Sequence, residues 1–286
     1  MWLEKLLKKQ FISFYKEESY KCISQIVKNK NVLQTEEKSF EDKKEFVKYI
    51  RQKIDEIPQT YVSTMLLTIN QGVVPSCSVK AYLDREIDPD NVKIACINNK
   101  YSFFASIYEI QNIKKEYKFD IDFIYSVFAI IDSIAKERKN RFYVLVLEKH
   151  IAILGYENFV PIFSDINVLE EKQEEDVEEI VEDIDLEEEL ISDIDSIDEV
   201  EETDTEEEIE NETTSKEVEI LNYLKSSLKE YYDNYSSDFI EKIIILDTIG
   251  IDITLNSLIE EELLITSDIQ QIDILNTMNR LSIESV

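Results

Sequence analysis

The chain contains little glycine, proline and histidine for its length. Three glycines, four prolines and one histidine occur in 286 residues. A single histidine excludes metal sites built from several imidazole ligands, and it leaves any serine- or cysteine-based mechanism one candidate base, His150. His150 follows an apolar strand with no matched nucleophile, so we expect it to be a solvated turn residue. The glycines, Gly72, Gly155 and Gly250, are far apart, which excludes a glycine-rich loop that holds phosphate with backbone N–H groups.

Long apolar runs are also missing. The longest, residues 123–131, is closed on both sides by Asp122 and Asp132 and is far shorter than the roughly 20 residues that span a bilayer. The first eleven residues, MWLEKLLKKQF, have neither the apolar core nor the small-residue cleavage site of a signal peptide. We therefore expect a soluble protein without a direct membrane span.

Cysteine is scarce and irregularly spaced. Cys22, Cys77 and Cys96 are odd in number and do not have the spacing of a disulfide framework. This pattern predicts reduced thiols that pack in the core of a cytosolic protein.

Acidic residues dominate one segment of the chain. The formal net charge is −31, but residues 170–219 hold 27 acidic and 2 basic residues, which leaves −6 for the other 236. Residues 170–215 contain no glycine, proline or aromatic residue, and they predict a disordered or marginally helical insertion. The Asp-rich repeats in this segment lack the central glycine of a calcium-binding loop, so we expect no metal site. The charge disfavours nucleic acid as a partner and favours a basic protein at the insertion.

The remaining chain is organised around the apolar stretch at residues 141–166. Its aliphatic and aromatic runs, 143–147, 151–154 and 160–163, are separated by turn-like residues and predict a three-stranded antiparallel meander. A meander this apolar needs a layer on each face, so we place it in the middle of a domain.

The elements on either side predict an α/β fold with mixed sheets. Residues 10–40 alternate as three strands, a helix capped by Ser39 or Asp42 ends before Pro58, and a strand follows at 61–69. The later predicted elements are a hairpin at 92–110, a helix at 122–137, a helix opened by a Thr214–Glu217 capping box, and a strand at 239–246. The predicted units are 1–69, an inserted β-rich subdomain at 70–120, 121–169 with the meander, the acidic insertion 170–215, and 216–286.

This order of elements resembles the two-lobed, RNase H-like fold of actin-like ATPases. Residues 92–135, 143–166 and 221–265 resemble, in that order, the inserted subdomain with its return helix, the second phosphate hairpin, and the closing helix–strand–helix of the PilM and GspL family. Members of that family are cytoplasmic actin-like proteins of type IV pilus and type II secretion inner-membrane platforms.

The resemblance implies a nucleotide site, but the residues at the corresponding turns of this chain differ from the family pattern. Actin-like sites need glycine in two phosphate hairpins, whereas the corresponding turns here are Glu17-Glu18-Ser19 and Glu148-Lys149-His150. The first turn also places carboxylates where phosphate charge would lie. On the adenosine side, residues 247–250 have one glycine where a pair is usual. We therefore expect no cofactor, no nucleotide hydrolysis and no enzymatic activity.

The resemblance further implies a scaffold of a pilus, secretion or flagellar-motor platform, peripheral to the inner membrane through partners and able to form a ring-shaped homo-oligomer. Its partner would be a PilN-like single-span membrane protein whose cytoplasmic tail docks beside the inserted subdomain by strand addition. The candidate contact residues are Val92, Ile94, Tyr101, Phe103, Phe104 and Tyr108. Two alternatives stay open: an ATP-binding actin-like ATPase with atypical phosphate loops, and an acidic mimic of nucleic acid that binds a basic protein.

Overall fold

The computed structural model describes residues 8–169, 205–236 and 238–286. The strands are β1 (Lys9–Lys16), β2 (Tyr20–Lys28), β3 (Asn31–Phe40), β4 (Thr60–Leu66), β5 (Gln71–Val74), β6 (Val92–Ile97), β7 (Tyr101–Ser106), β8 (Phe123–Ser126), β9 (Arg141–Val146), β10 (His150–Glu157), β11 (Val160–Val168), β12 (Lys242–Asp247) and β13 (Thr266–Gln271). The helices are α1 (Lys43–Glu56), α2 (Val79–Leu83), α3 (Ile107–Glu116), α4 (Val127–Ile134), α5 (Thr205–Asn234), α6 (Thr254–Leu263) and α7 (Ile274–Ser285).

Two five-stranded sheets have the same topology. Their strand orders are β3-β2-β1-β4-β8 and β11-β10-β9-β12-β13. In the first sheet, β3, β2 and β1 pair antiparallel, and β4 and β8 run parallel to β1. In the second sheet, β11, β10 and β9 pair antiparallel, and β12 and β13 run parallel to β9. A third sheet, β5-β7-β6, belongs to the segment inserted between β4 and β8. The chain thus contains one β-β-β-α-β-α-β arrangement twice, and each half carries a tight turn between its first two strands.

The predicted central meander is confirmed, with a layer on each face. Along β9, Phe142 and Val144 are fully buried against α5 and α6, while Tyr143 and Leu145 are buried toward α4 and α7. Period-two alternation sends neighbouring side chains to opposite faces, so a strand that is apolar at every position must be covered on both. This sheet therefore lies between two layers of helices.

The N-terminal elements also agree with the prediction. Asp42 caps α1, since its carboxylate accepts hydrogen bonds from the N–H groups of Lys44 at 2.7 Å and Glu45 at 3.0 Å. Phe46 and Ile50, one turn apart on α1, are fully buried against the first sheet. The cap and the apolar stripe are both local in sequence, which is why they could be predicted.

Three predicted elements differ from the structure. Residues 122–137 were expected to be one helix, but they form β8 followed by α4, where Ser126 caps the helix by accepting from Phe128 N–H at 3.3 Å. A short apolar run fits a buried strand as well as a buried helix, so periodicity does not separate them. The predicted hairpin extends to residue 110, but its last residues, 107–110, belong to α3. Thr214 does not begin a helix, because α5 starts at Thr205; of the predicted insertion, residues 170–204 lie outside the described residues.

The prediction for two of the three cysteines is wrong. Cys22 is buried as expected, but Cys77 and Cys96 form a disulfide with a Cα–Cα distance of 5.5 Å, and Cys96 is exposed on β6. Spacing in sequence could not reveal this pair, because the β6–β7 pairing and the chain between β5 and α2 bring the two thiols together. Cys22 is the one cysteine in the described residues that remains a free thiol.

Glu36 on β3 gives the fold a measurable pH dependence. Lys53 at 2.8 Å and Lys38 at 2.9 Å bond its carboxylate and lower its pKa to about 2. A carboxylate whose folded-state pKa lies below its unfolded value stabilises the protein above the unfolded pKa, and this stabilisation is lost as pH falls toward the folded one. We expect Glu36→Gln to cost about 1 kcal/mol at pH 7, discounted for partial exposure, and nothing near pH 2. Urea unfolding across that range tests this, with Glu37→Gln as the exposed neighbouring control; a cost that does not change with pH would contradict it.

No helix in the described part of the chain is both long and apolar enough to cross a membrane.

Candidate functional site

The turns that begin the two repeated units face each other. One joins β1 to β2 at residues 17–19, and the other joins β9 to β10 at residues 147–149. Because both sheets have the same topology, each turn lies at the same end of its sheet, and side chains of the first reach backbone groups of the second. These are the turns that the sequence places at the two phosphate hairpins.

A carboxylate of the first turn occupies the backbone N–H groups of the second. Glu17 Oε2 accepts from the N–H of Glu148 at 2.5 Å and of Lys149 at 3.3 Å, and Glu17 Oε1 lies 2.8 Å from Nδ1 of His150. The Glu17 side chain is 1% exposed. Consecutive N–H groups at a turn form an anion-binding concavity, and here the anion is a side chain of the same chain.

Further polar contacts join the two turns to each other and to α5. Lys21 on β2 forms an ion pair with the Glu148 carboxylate, and Lys149 lies 3.5 Å from Glu18. Lys216 on α5 donates to the Glu148 carbonyl at 3.1 Å. The contacts hold the two halves of the fold together at the mouth of the cleft between them.

A second carboxylate fills the turn after β12. Asp247, which is 1% exposed, accepts hydrogen bonds from the N–H groups of Ile249 at 2.8 Å, Gly250 at 2.9 Å and Ile251 at 3.0 Å. Gly250 has φ +86°, a left-handed conformation that a side chain disfavours. This is the turn assigned from sequence to the adenosine side, and its N–H groups are also bonded within the chain.

A cavity of about 440 Å³ remains between these turns. It is lined by Lys21, Glu148, Lys216, Glu217 and residues 248–251. Oε2 of Glu148 and Oε2 of Glu217 are buried there without a hydrogen-bond donor among the described residues. The negative charge of these two buried carboxylates, which belong to residues lining the cavity, repels phosphate.

The structure brings the two predicted turns together but differs from the prediction at His150 and Glu17. His150 was predicted to be solvated; its side chain is instead 18% exposed and contacts Glu17. Glu17 was predicted only to repel phosphate, and its bond to the opposite turn was missed. The sequence shows an acidic residue in one predicted turn. That this turn faces the other one depends on the packing of the two sheets.

The six predicted partner-binding residues do not share one surface. Tyr101 and Phe103 on β7 are 4% and 3% exposed and belong to the core, where the Tyr101 hydroxyl donates to Asp132 Oδ2 at 2.9 Å. Phe104, on the opposite face, packs edge-to-face on Tyr82. The others are Val92 and Ile94, half-buried on β6, and Tyr108, 72% exposed on α3. Alternation along β7 was visible in the sequence, but which face turns inward was not.

Within the described ranges, β6 pairs only with β7 and so leaves its other edge open in the inserted sheet. In the same ranges, no group of three or more histidine, cysteine, aspartate or glutamate side chains could hold a metal ion. The predicted contact of a basic protein with the acidic insertion falls mainly on residues outside the described ones.

Solved structures with this fold establish the fold class. The chain is similar to a Bacteroides thetaiotaomicron protein with an actin-like ATPase fold and unknown function, with 11% identity, TM-score 0.52, and coverage of 96% of this chain and 97% of that one. It is also similar to a chain of the PilM–PilN type IV pilus biogenesis complex, with 13% identity, TM-score 0.50, and coverage of 93% and 89%. At these identities the likeness shows the fold alone. The predicted actin-like fold is confirmed.

Comparison by sequence gives a family without an assigned activity. A comparison with curated proteins found no match. Residues 7–132 match a family described as "Domain of unknown function (DUF8569)", and residues 88–286 match one described as "Domain of unknown function (DUF8341)". The second match covers more than half of the chain. The chain is thus an actin-like protein that belongs to the DUF8341 family.

Proposed function

We propose that this protein is a catalytically silent actin-like scaffold of a bacterial inner-membrane machine of the type IV pilus or type II secretion kind. The observation that carries the proposal is the bonding of Glu17 to the N–H groups of Glu148 and Lys149. In an active actin-like site, N–H groups at such hairpins receive phosphate oxygens. A ligand phosphate would have to displace a buried carboxylate that makes the same bonds.

The second filled turn supports the same conclusion. Asp247 accepts from three consecutive N–H groups on the adenosine side, so an anion would meet backbone donors that are already bonded within the chain at this turn as well. The lysines that remain near the cavity, Lys21 and Lys216, bond to the side chain and the carbonyl of Glu148. Likeness in fold to a PilM chain supports the scaffold role and its setting, and a ring-forming assembly within the platform belongs to the same proposal.

Nucleotide binding gives a direct test. We expect millimolar Mg-ATP to leave the melting temperature of the full chain unchanged and to release no phosphate above a blank. A ligand present at 100 times its Kd would stabilise the fold by about 2.7 kcal/mol, which a thermal shift detects readily. A reproducible shift together with phosphate release would favour the alternative, an ATPase with atypical phosphate loops, and would end the silent-scaffold proposal.

The partner is proposed to be the cytoplasmic tail of a PilN-like single-span membrane protein, added to the free edge of β6. Val92 and Ile94 lie on that strand and Tyr108 is exposed nearby, whereas Tyr101 and Phe103 support the strand from the core. Strand addition takes affinity from backbone hydrogen bonds and specificity from side-chain pockets.

Calorimetry with a synthetic tail peptide, taken from a single-span protein encoded beside this chain, tests the partner site. We expect Tyr108→Ala to weaken binding by about ten-fold. Phe239→Ala is the matched control, because Phe239 is also a highly exposed aromatic residue but lies before β12 in the other half of the fold. Equal affinity of the two variants would remove this surface from the proposal without changing the nucleotide test.

A further inference from the structure

A further groove lies on the outer face of α1, and it shares no lining residue with the cavity between the turns. It has a volume of about 830 Å³ and runs between α1 and the chain that follows α3. Its lining residues are Lys43, Lys44, Val47, Lys48, Arg51, Gln52, Asp55, Glu56, Glu116 and Lys118. The lining contains five basic residues and three acidic ones.

Three ammonium groups in the groove lack an acidic partner among the residues that the structure describes. They belong to Lys44 and Lys48, one helical turn apart on α1, and to Lys118 on the opposite wall, and all three side chains are exposed. Arg51 is fixed between them, because its Nε and Nη2 donate to the Lys118 carbonyl at 3.2 and 2.6 Å. Its guanidinium charge stays in the groove and is not neutralised by that carbonyl.

Most of the acidic lining is already neutralised. Glu116 pairs with Lys43 at 2.8 Å, and Glu56 pairs with Lys53 at 3.2 Å. Asp55, at the end of the groove, has no basic partner among the described residues. The charges left to face a ligand are therefore four cations against one carboxylate.

The floor of the groove is apolar. Val47 is half-buried there, and the aliphatic stems of Lys44 and Lys48 flank it on the same face of α1. A phosphate chain would leave this floor uncovered, and a long polyanion would be repelled by the rest of the chain. We propose that the groove binds an acidic polypeptide segment of a partner protein, with aliphatic side chains spaced between its carboxylates.

Fluorescence anisotropy with the full chain tests this. The probe is a fluorescein-labelled peptide with the sequence of residues 177–191, VEEIVEDIDLEEELI, which has the proposed chemistry. We expect salt-sensitive binding that the double charge reversal Lys44→Glu, Lys48→Glu weakens at least about ten-fold. Nonspecific binding is suppressed here, since probe and protein carry the same overall sign of charge.

A matched control makes the outcome decisive. Lys114→Glu, Lys115→Glu changes the net charge equally on α3, outside the groove, and should leave binding unchanged. Equal loss in both double variants, or no binding at millimolar probe, would overturn the proposal. So would equal binding of a single-stranded oligonucleotide. If the probe binds only after residues 170–204 are deleted, the groove is occupied by the chain's own acidic segment. That result would overturn the proposal of a separate partner protein. None of these results depends on the nucleotide cleft.

Discussion

Replacing Glu17 with alanine should lower the free energy of unfolding by about 3 to 5 kcal/mol, because it removes a buried charged acceptor and leaves its donors without a partner. Those donors are the N–H groups of Glu148 and Lys149 and the ring of His150. The Glu17 side chain is 1% exposed, so bulk water does not replace the carboxylate without local opening. Urea unfolding at neutral pH measures the loss.

Glu18→Ala is the matched control for this prediction. Glu18 is the next residue of the same turn, but its side chain is 55% exposed and contacts Lys149 at 3.5 Å, so its removal should cost less than about 1 kcal/mol. Acetate should restore part of the stability of the Glu17→Ala variant, since it can enter the vacated concavity, and should not affect the control. A cost below about 1 kcal/mol for Glu17→Ala would mean that the turn does not depend on this carboxylate.

Removing the carboxylate of Asp247 should have a comparable effect on the other half of the cleft. Asp247→Ala leaves the N–H groups of Ile249, Gly250 and Ile251 without their acceptor, for which we expect a loss of about 3 kcal/mol or more. Asp247→Asn keeps one acceptor oxygen but turns an amide donor toward the same N–H groups, so it should be destabilising as well. Faster hydrogen exchange at residues 249–251 would locate the effect.

Asp252→Ala separates this effect from a general loss of acidic charge. Asp252 accepts from Thr254 N–H at 2.7 Å at the start of α6 but is exposed, so we expect its removal to cost clearly less than Asp247→Ala. If the Asp247 and Asp252 variants lose equal stability, the three bonds of Asp247 contribute little beyond a cap. Unchanged hydrogen exchange at residues 249–251 in the Asp247→Ala variant would lead to the same conclusion.

Several parts of this fold follow from local patterns. The alternation in residues 10–40 and the apolar runs of residues 141–166 predicted six strands that are present, and Asp42 marked the start of α1. The predicted hairpin at residues 92–110 turns at Asn98 and Asn99, which both adopt the positive φ that asparagine tolerates. Each of these signals lies within a few residues of the structure that it forms.

Other features depend on contacts between distant parts of the chain. Glu17 and Glu148 are 131 positions apart, and Cys77 and Cys96 meet only after the inserted sheet has formed. Tyr101 and Phe103 were visible as alternating aromatic residues, yet packing against α4 and β10 decides that they face the core. A local sequence pattern predicts which helix or strand a segment forms. These three features depend instead on which faces of the folded elements pack against each other.

Composition alone established that no glycine-rich phosphate loop could exist here, because three separated glycines cannot supply one. The tertiary arrangement decided what stands in its place at the β9–β10 turn, where Glu17 of the opposite turn accepts from the N–H groups of Glu148 and Lys149. Asp247 instead bonds N–H groups two to four residues ahead of it, so its contacts are local. The absence of a residue type can be read directly from a chain. The partner of Glu17 cannot, since it is selected by the packing of strands far apart in sequence.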